Sequence, residues 1–318
     1  MTFDLGIYPG GLLGSDTGLV HPRLPDDPAR ITAALRELQG PAPGLLVRAY
    51  LPFTGPDAGS GPATPAEPDR LLGGGRRLDL VLPFRAATGC LEGWPDFVRT
   101  AVRSYGPALA HVQICEEPNL DLPPVDGSIP NVRAALTAGV VAAKEEIRAQ
   151  GLDARVGFNA VPSFDPADDF WPDLGARADA AFHDALDWVG LDFFPDVFRP
   201  VDPADLSGAV EAVLRHFRRT SLPQAGIGAG MPVRICENGW PTGPERTERR
   251  QAEVVEEVVR TAHRLRGDLH LTGYTLFSLR DADSTGTGLF DRFGLLRDDY
   301  SPKPAFDTYR RLIAELGT

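Results

Sequence analysis

In the segment HVQICEEPNL, residues 111–120, a mostly apolar run ends abruptly in polar residues. Glu116, Glu117 and Pro118 follow this run without a spacer. A short apolar run bounded in this way is typical of a strand that is buried on both faces of a parallel sheet. Because Pro118 forces a turn, we expect the two glutamates to stand where the strand passes into a loop.

The same pattern recurs along the chain, with amphipathic segments in between. The predicted strands are Phe3–Tyr8, Leu45–Leu51, Leu78–Phe84, Ala110–Cys115, Arg155–Asn159, Trp188–Phe193, Val233–Cys236 and Leu271–Phe277. The predicted helices are Pro28–Leu38, Trp94–Tyr105, Asn131–Gln150, Asp173–Leu186, Leu206–Thr220, Glu248–Leu265 and Lys303–Leu316, with a loop at Gly55–Pro68 and a short helix at Pro68–Leu72. Eight strands buried on both faces favour an α/β fold, a single (β/α)8 TIM barrel that takes residues 1–318 as one domain.

The composition argues against several kinds of partner. A formal net charge of −12 is opposite to the basic surface that nucleic-acid binding needs. No stretch approaches the roughly 20 apolar residues of a membrane span. Three cysteines and six histidines show neither a disulfide framework nor metal-ligand spacing, so we expect no metal. We also expect the protein to be a monomer. The start, MTFDLGIYPGG, shows no secretory signal, so we expect a cytoplasmic protein, or a secreted one if a signal was trimmed.

Carboxylates at two strand ends are the candidate catalytic residues. In a (β/α)8 barrel the chemistry lies at the C-terminal ends of the strands. Strand four ends at Glu116 and Glu117, and VRICENGWPTG (233–243) places Glu237 at the end of strand seven. Glycoside hydrolysis needs one carboxylic acid beside the leaving oxygen and one carboxylate at the anomeric carbon. We therefore expect a carbohydrate or a glycosylated small molecule as substrate, and no cofactor.

Four segments resemble the retaining glycoside hydrolases on TIM barrels, which carry an acid/base and a nucleophile at the ends of strands four and seven. They are EEPN (116–119), similar to that group's Asn-Glu-Pro(-Asn) signature, VGLDFFP (189–195), ENGWP (237–241) and the C-terminal run FGLLRDDYSPKPAFDTYRRL (293–312). The resemblance implies that Glu117 is the acid/base and Glu237 the nucleophile of a retaining glycosidase. It also implies that Arg48, on the second strand, hydrogen-bonds the nucleophile.

Three positions depart from the pattern of that group. Glu116 stands where the group has an Asn that bonds the sugar 2-hydroxyl, and a carboxylate can accept that bond but cannot donate one. Phe194 stands where the sixth strand commonly supplies a Tyr to the nucleophile, and a phenyl ring cannot make that bond. Phe277 stands near the position of a Trp that lies under the sugar. We expect the substrate contacts to differ at these three positions.

Two further residues are candidate substrate contacts. Asn159, at the end of the fifth strand, either bonds a substrate hydroxyl or caps a loop. Trp240 either stacks on the apolar face of a sugar or packs locally. The departures leave two alternatives to hydrolysis open: a repurposed barrel that acts as a transglycosylase or a secondary-metabolite tailoring enzyme, and a catalytically silent carbohydrate-binding barrel.

Overall fold

The computed structural model describes residues 2–56, 59–123 and 125–317, and it shows a closed barrel of eight parallel strands. In chain order, which is also their order around the barrel, these are β1 (Asp4–Tyr8), β2 (Leu45–Tyr50), β3 (Arg76–Leu82), β4 (Leu109–Ile114), β5 (Arg155–Ala160), β6 (Trp188–Asp192), β7 (Val233–Asn238) and β8 (Leu271–Phe277). β8 pairs with β1, so the barrel has no open sheet edge. The ends of the predicted domain, Met1 and Thr318, lie outside the described residues.

The prediction of a single (β/α)8 barrel is confirmed, and the burial of the strands explains why the sequence shows it. β4 and β8 are buried at every position, because helices cover their outer faces and side chains fill the barrel. β8 has the predicted bounds, and the other strands differ from theirs by at most two residues at either end.

Helices surround the barrel at Pro28–Gln39, Trp94–Tyr105, Val132–Gln150, Phe170–Arg177, Ala180–Ala185, Leu206–His216, Leu222–Gln224, Glu248–Leu269 and Pro304–Leu316. A π-helical turn, Phe217–Ser221, directly follows the helix Leu206–His216. The single helix predicted at Asp173–Leu186 is wrong. Ala178 is extended, and the Asp179 side chain caps a new helix by accepting a bond from the Phe182 amide at 2.9 Å. Within the described residues, no helix is long and apolar enough to cross a membrane.

Two hairpins add structure at the mouth, the end of the barrel where the strands reach their C-termini. Leu13–Ser15 pairs with Gly18–Val20 after β1, and Phe53–Gly55 pairs with Gly59–Ser60 after β2. The second hairpin falls at the start of the loop predicted at Gly55–Pro68, of which Asp57 and Ala58 lie outside the described residues. The short helix predicted at Pro68–Leu72 is a 3-10 helix, Pro68–Leu71.

Candidate active site

Glu237 lies at the end of β7 in a largely buried position, with 7% of the residue exposed. The Tyr50 hydroxyl, from the end of β2, donates a hydrogen bond to Glu237 Oε1. The Arg48 Nε atom lies 3.4 Å from the same oxygen. One oxygen of the carboxyl group therefore faces both a hydroxyl donor and a guanidinium, which favours the ionised form.

Arg48 is held in place by three further contacts. It is fully buried, and its Nη1 atom lies 3.0 Å from Asp79 Oδ2 on β3. Its Nη2 atom donates to Gln113 Oε1 on β4 at 2.8 Å, and its Nε atom donates to the Tyr50 hydroxyl oxygen at 2.8 Å. Because strands β2, β3 and β4 all contribute, the cation beside Glu237 has a fixed position.

The two residues after Glu237, Asn238 and Gly239, each have a structural role at the end of β7. Asn238 is buried; its side-chain amide donates to the Phe193 carbonyl at 2.6 Å, and its oxygen accepts from the Tyr274 hydroxyl at 2.7 Å. A Cβ atom on Gly239 would lie 1.8 Å from the Phe277 carbonyl oxygen, so a larger residue does not fit without backbone movement. These contacts tie the end of β7 to β6 and β8, and they set the direction in which Glu237 enters the mouth.

Glu117 follows β4 in a different setting. Its backbone has φ of 45°, a left-handed conformation that is uncommon outside glycine, and its amide donates to Asn159 Oδ1 on β5 at 2.8 Å. Its side chain is partly exposed, and within the described residues its carboxyl group makes no hydrogen bond or ion pair. Asn119 exchanges two bonds of 2.9 Å with the Val161 backbone, which ties this loop to the one after β5. The backbone of Glu117 is fixed while its carboxyl group is left without a partner.

Glu116 faces an arginine of the neighbouring loop. Arg85 Nη2 donates to Glu116 Oε2 at 2.7 Å, and Arg85 Nε lies 3.1 Å from Asp126 Oδ1. Asp126 is fully buried, accepts from the backbone amides of Phe84 and Glu116 at 2.8 Å each, and has its pKa raised by burial to about 6. Glu116 therefore has a cationic partner within the protein, and the positive charge of Arg85 partly balances the negative charge of a Glu116 carboxylate.

Asp192, at the end of β6, is a further buried acid of the mouth, with 1% exposed. The side-chain amide of Asn159 donates to Asp192 Oδ2, while Oδ1 has no hydrogen-bond partner within the described residues. Asn159 thus bonds both the backbone of Glu117 and the side chain of Asp192. In this arrangement Asn159 orients the two acids.

Burial and mutual repulsion separate the acidities of the two central glutamates. Burial raises the pKa of Glu237 to about 7, although Arg48 and the hydrogen bond from Tyr50 act in the opposite direction. Burial, followed by the charges of Glu237 and Glu116, raises the pKa of Glu117 well above its ordinary value. At Glu117 the neighbouring acids thus add to the effect of burial, whereas at Glu237 the contacts with Arg48 and Tyr50 oppose it.

Phe194 and Phe277 lie together on the side of the mouth formed by β6 and β8. Their ring centroids are 6.3 Å apart at an interplanar angle of 85°, and Phe277 stacks on Tyr8 at 5.4 Å. The residue that bonds Glu237 is Tyr50 from β2, so its hydroxyl supplies the bond that Phe194 cannot make. The two phenylalanines form an aromatic wall beside the acids.

Trp240 is a packed residue, with 3% of its surface exposed. Its Nε1 atom lies 3.2 Å from both the backbone carbonyl and the carboxylate of Asp196, and the Arg246 guanidinium lies 5.4 Å from its ring centroid. The structure therefore leaves almost no ring surface free for a sugar. Of its two predicted roles, the geometry favours local packing.

Several side chains of the site were not predicted from the sequence. Tyr50 carried a signal, since it stands two residues after Arg48 on one strand and so points to the same side. Asp192 carried a signal as well, because it ends an apolar strand as Glu237 does. Arg85 lies in the loop after β3 and Asp126 begins a three-residue 3-10 helix, Asp126–Ser128, and segments this short show no periodic sequence pattern. Within the described ranges, no group of three or more His, Cys, Asp or Glu side chains is arranged to hold a metal ion.

Solved structures of glycoside hydrolases share this fold. A family 39 glycoside hydrolase from the gut symbiont Bacteroides cellulosilyticus WH2 matches with a TM-score of 0.63 and 15% identity, over 99% of this chain and 64% of that chain. The β-glucosidase 1317 matches with a TM-score of 0.61 and 14% identity, over 98% and 96% of the two chains. A family 1 β-glucosidase from Thermotoga maritima matches with a TM-score of 0.58 and 14% identity, over 90% and 86%.

No family model and no curated protein matches the sequence. The chain spans less than two thirds of the length of the family 39 enzyme. At identities of 14–15%, these likenesses establish the barrel fold, and the activity has to be argued from the site itself.

Proposed function

We propose that this protein is a retaining glycosidase in which Glu237 is the nucleophile and Glu117 the acid/base. The observation that carries the proposal is the unequal setting of the two glutamates. Glu237 contacts a hydroxyl donor and a buried cation, whereas the carboxyl group of Glu117 makes no hydrogen bond or ion pair within the described residues. Burial and the charges of Glu237 and Glu116 raise the pKa of Glu117. A double displacement needs one anion and one proton donor at the same bond.

In the first step, the Glu237 carboxylate attacks the anomeric carbon while Glu117 gives its proton to the glycosidic oxygen. The bond between that carbon and oxygen breaks, the alcohol leaves, and a glycosyl ester forms on Glu237. In the second step, Glu117, now a carboxylate, takes a proton from a water molecule that attacks the anomeric carbon and breaks the ester. The free sugar leaves and both glutamates return to their starting states.

A panel of 4-nitrophenyl glycosides that vary in sugar and anomeric configuration tests the proposal. We expect at least one to be cleaved. Glu237→Gln should lower kcat/KM by at least about a thousandfold, because it removes the attacking carboxylate while its amide oxygen still accepts from Tyr50. Circular dichroism and thermal unfolding of the variant serve as the control for folding. Equal activity in Glu237→Gln would refute the assignment, and binding without turnover on the whole panel would favour a carbohydrate-binding barrel.

A further inference from the structure

Five aromatic rings form a continuous row from Glu237 to the protein surface. The row consists of Tyr50, Tyr8, Phe277, Phe194 and Phe198, and successive ring centroids lie 5.2, 5.4, 6.3 and 6.0 Å apart. Tyr50 donates to Glu237 at the inner end. We call these five residues the aromatic row.

The outer end of the aromatic row is open to solvent. Phe198 is 59% exposed, the highest value among the four exposed large hydrophobic side chains of the described residues. The Phe290 ring lies beside it, with the centroids 6.1 Å apart. Tyr8 and Phe277 in the middle of the row are buried, at 1% and 8% exposed, so a ligand can contact the half-buried Phe194 and the exposed Phe198 at its outer end. An exposed apolar surface beside a candidate catalytic site marks a place where a ligand binds.

The chemistry of the outer rings indicates the kind of group that binds there. Phe194 and Phe198 offer no hydrogen-bond donor or acceptor, so a second sugar could stack its apolar face on them but its hydroxyl groups would gain no partner there. An aromatic ring or an alkyl chain needs no such partner and gains from being removed from water.

We propose that the outer end of the aromatic row, at Phe194 and Phe198, binds an apolar substituent, aryl or alkyl, that the substrate carries beside its sugar. This inference rests on the proposed glycosidase function and specifies its substrate class. The substrate is then a glycosylated apolar small molecule and not a polysaccharide.

Phe164 provides a matched control for Phe198. It is 57% exposed and is the other exposed phenylalanine of the described residues, but its ring packs on His216, with the centroids 4.5 Å apart, and has no place in the aromatic row. Phe164→Ser and Phe198→Ser remove the same side chain at nearly equal exposure. Neither substitution opens a cavity in the core.

Calorimetric titration of methyl and n-hexyl 1-thioglycosides measures the effect without turnover, because the C–S bond resists hydrolysis. The sugar is that of the 4-nitrophenyl glycoside that the protein cleaves, or glucose if it cleaves none. We expect the hexyl compound to bind wild-type protein about 30-fold more tightly, since burial of about three of its five additional methylene groups contributes about threefold for each group. Phe198→Ser should reduce this preference to less than about fivefold, and Phe164→Ser should leave it unchanged.

Equal affinity for the two thioglycosides in wild-type protein would overturn the inference. A hexyl preference that persists in Phe198→Ser would overturn it as well, because the alkyl chain would then bind elsewhere. Hydrolysis by wild-type protein that disappears in Glu237→Gln would leave the proposed function intact in either case. A preference that depends on Phe198, with no glycoside cleaved, would support the apolar site and refute the glycosidase.

Discussion

The ends of strands β4 and β7 carry the same side chain in opposite settings. At the end of β7, Glu237 is nearly buried and its carboxyl group contacts Tyr50 and Arg48, while its backbone lies within the strand, where the pairing with β6 and β8 is irregular. After β4, Glu117 has a left-handed backbone and a carboxyl group that makes no hydrogen bond or ion pair within the described residues. The mouth therefore places a cation and a hydroxyl donor in contact with one glutamate and neither in contact with the other.

The two settings suit two different tasks. A nucleophile has to be anionic and must approach a single carbon atom from a fixed direction, which the contacts with Arg48 and Tyr50 provide. An acid/base changes protonation twice per cycle, so a permanent cationic partner would hold it in one state. The predictions below test this division from the larger expected effect to the smaller.

The most direct test of the β4 side is Glu117→Ala. We expect kcat on the cleaved 4-nitrophenyl glycoside to fall by about 10²- to 10⁴-fold, because no group then activates water against the ester on Glu237. Sodium azide should restore turnover and yield a glycosyl azide, since a small anion needs no general base and fits the space of the lost carboxyl group. Retained turnover, or no response to azide, would assign the acid/base elsewhere. The surface variant Glu145→Gln is the control.

The β7 side is tested by Tyr50→Phe, which removes one contact of Glu237 and keeps the ring. The hydrogen bond from Tyr50 lowers the pKa of Glu237, which is about 7, so its loss raises that pKa further. Because Glu237 acts as an anion, the acidic limb of the profile of kcat/KM against pH should move to higher pH. Activity at pH 6 should fall by about 10- to 100-fold, which corresponds to the free energy that a hydrogen bond to a charged group contributes. An acidic limb that stays in place, as we expect for Tyr105→Phe, would contradict this account.

The smallest expected effect concerns stability. Burial and the charges of Glu237 and Glu117 raise the pKa of Asp192 above its value in the unfolded chain, so folding favours the protonated form. The stability that the protonated form provides is present at low pH and is lost as the pH rises through the folded pKa. Asp192→Asn, which is neutral at every pH, should therefore raise the free energy of unfolding at pH 8 by about 1 kcal/mol.

That gain should be small at about pH 3, where the carboxyl group of Asp192 is largely protonated in the unfolded chain as well as in the folded protein. Thermal unfolding across this pH range measures it, with the exposed Asp96→Asn as a reference that gains nothing. A gain that is the same at both pH values would show that shape, and not charge, limits stability at this position.

The sequence was sufficient for the barrel and for the position of both glutamates, because strands buried on both faces produce apolar runs that end visibly. It was not sufficient for the contact between Tyr50 and Glu237, which depends on how a long side chain reaches from β2 to β7 inside a closed barrel. The sequence also did not predict the end of the helix at Ala178, because the residues on both sides of Ala178 are compatible with a helix. Burial of Trp240 follows from loop packing, which leaves no periodic pattern.

The burial of Trp240 has a spectroscopic consequence. All four tryptophans of the chain, Trp94, Trp171, Trp188 and Trp240, are at most 3% exposed. Their fluorescence reports on the folded core, and it should change little when a ligand enters the mouth. The natural tryptophan fluorescence is therefore insensitive to a ligand in the mouth. A single tryptophan introduced by Phe198→Trp would report on binding there against a constant tryptophan background.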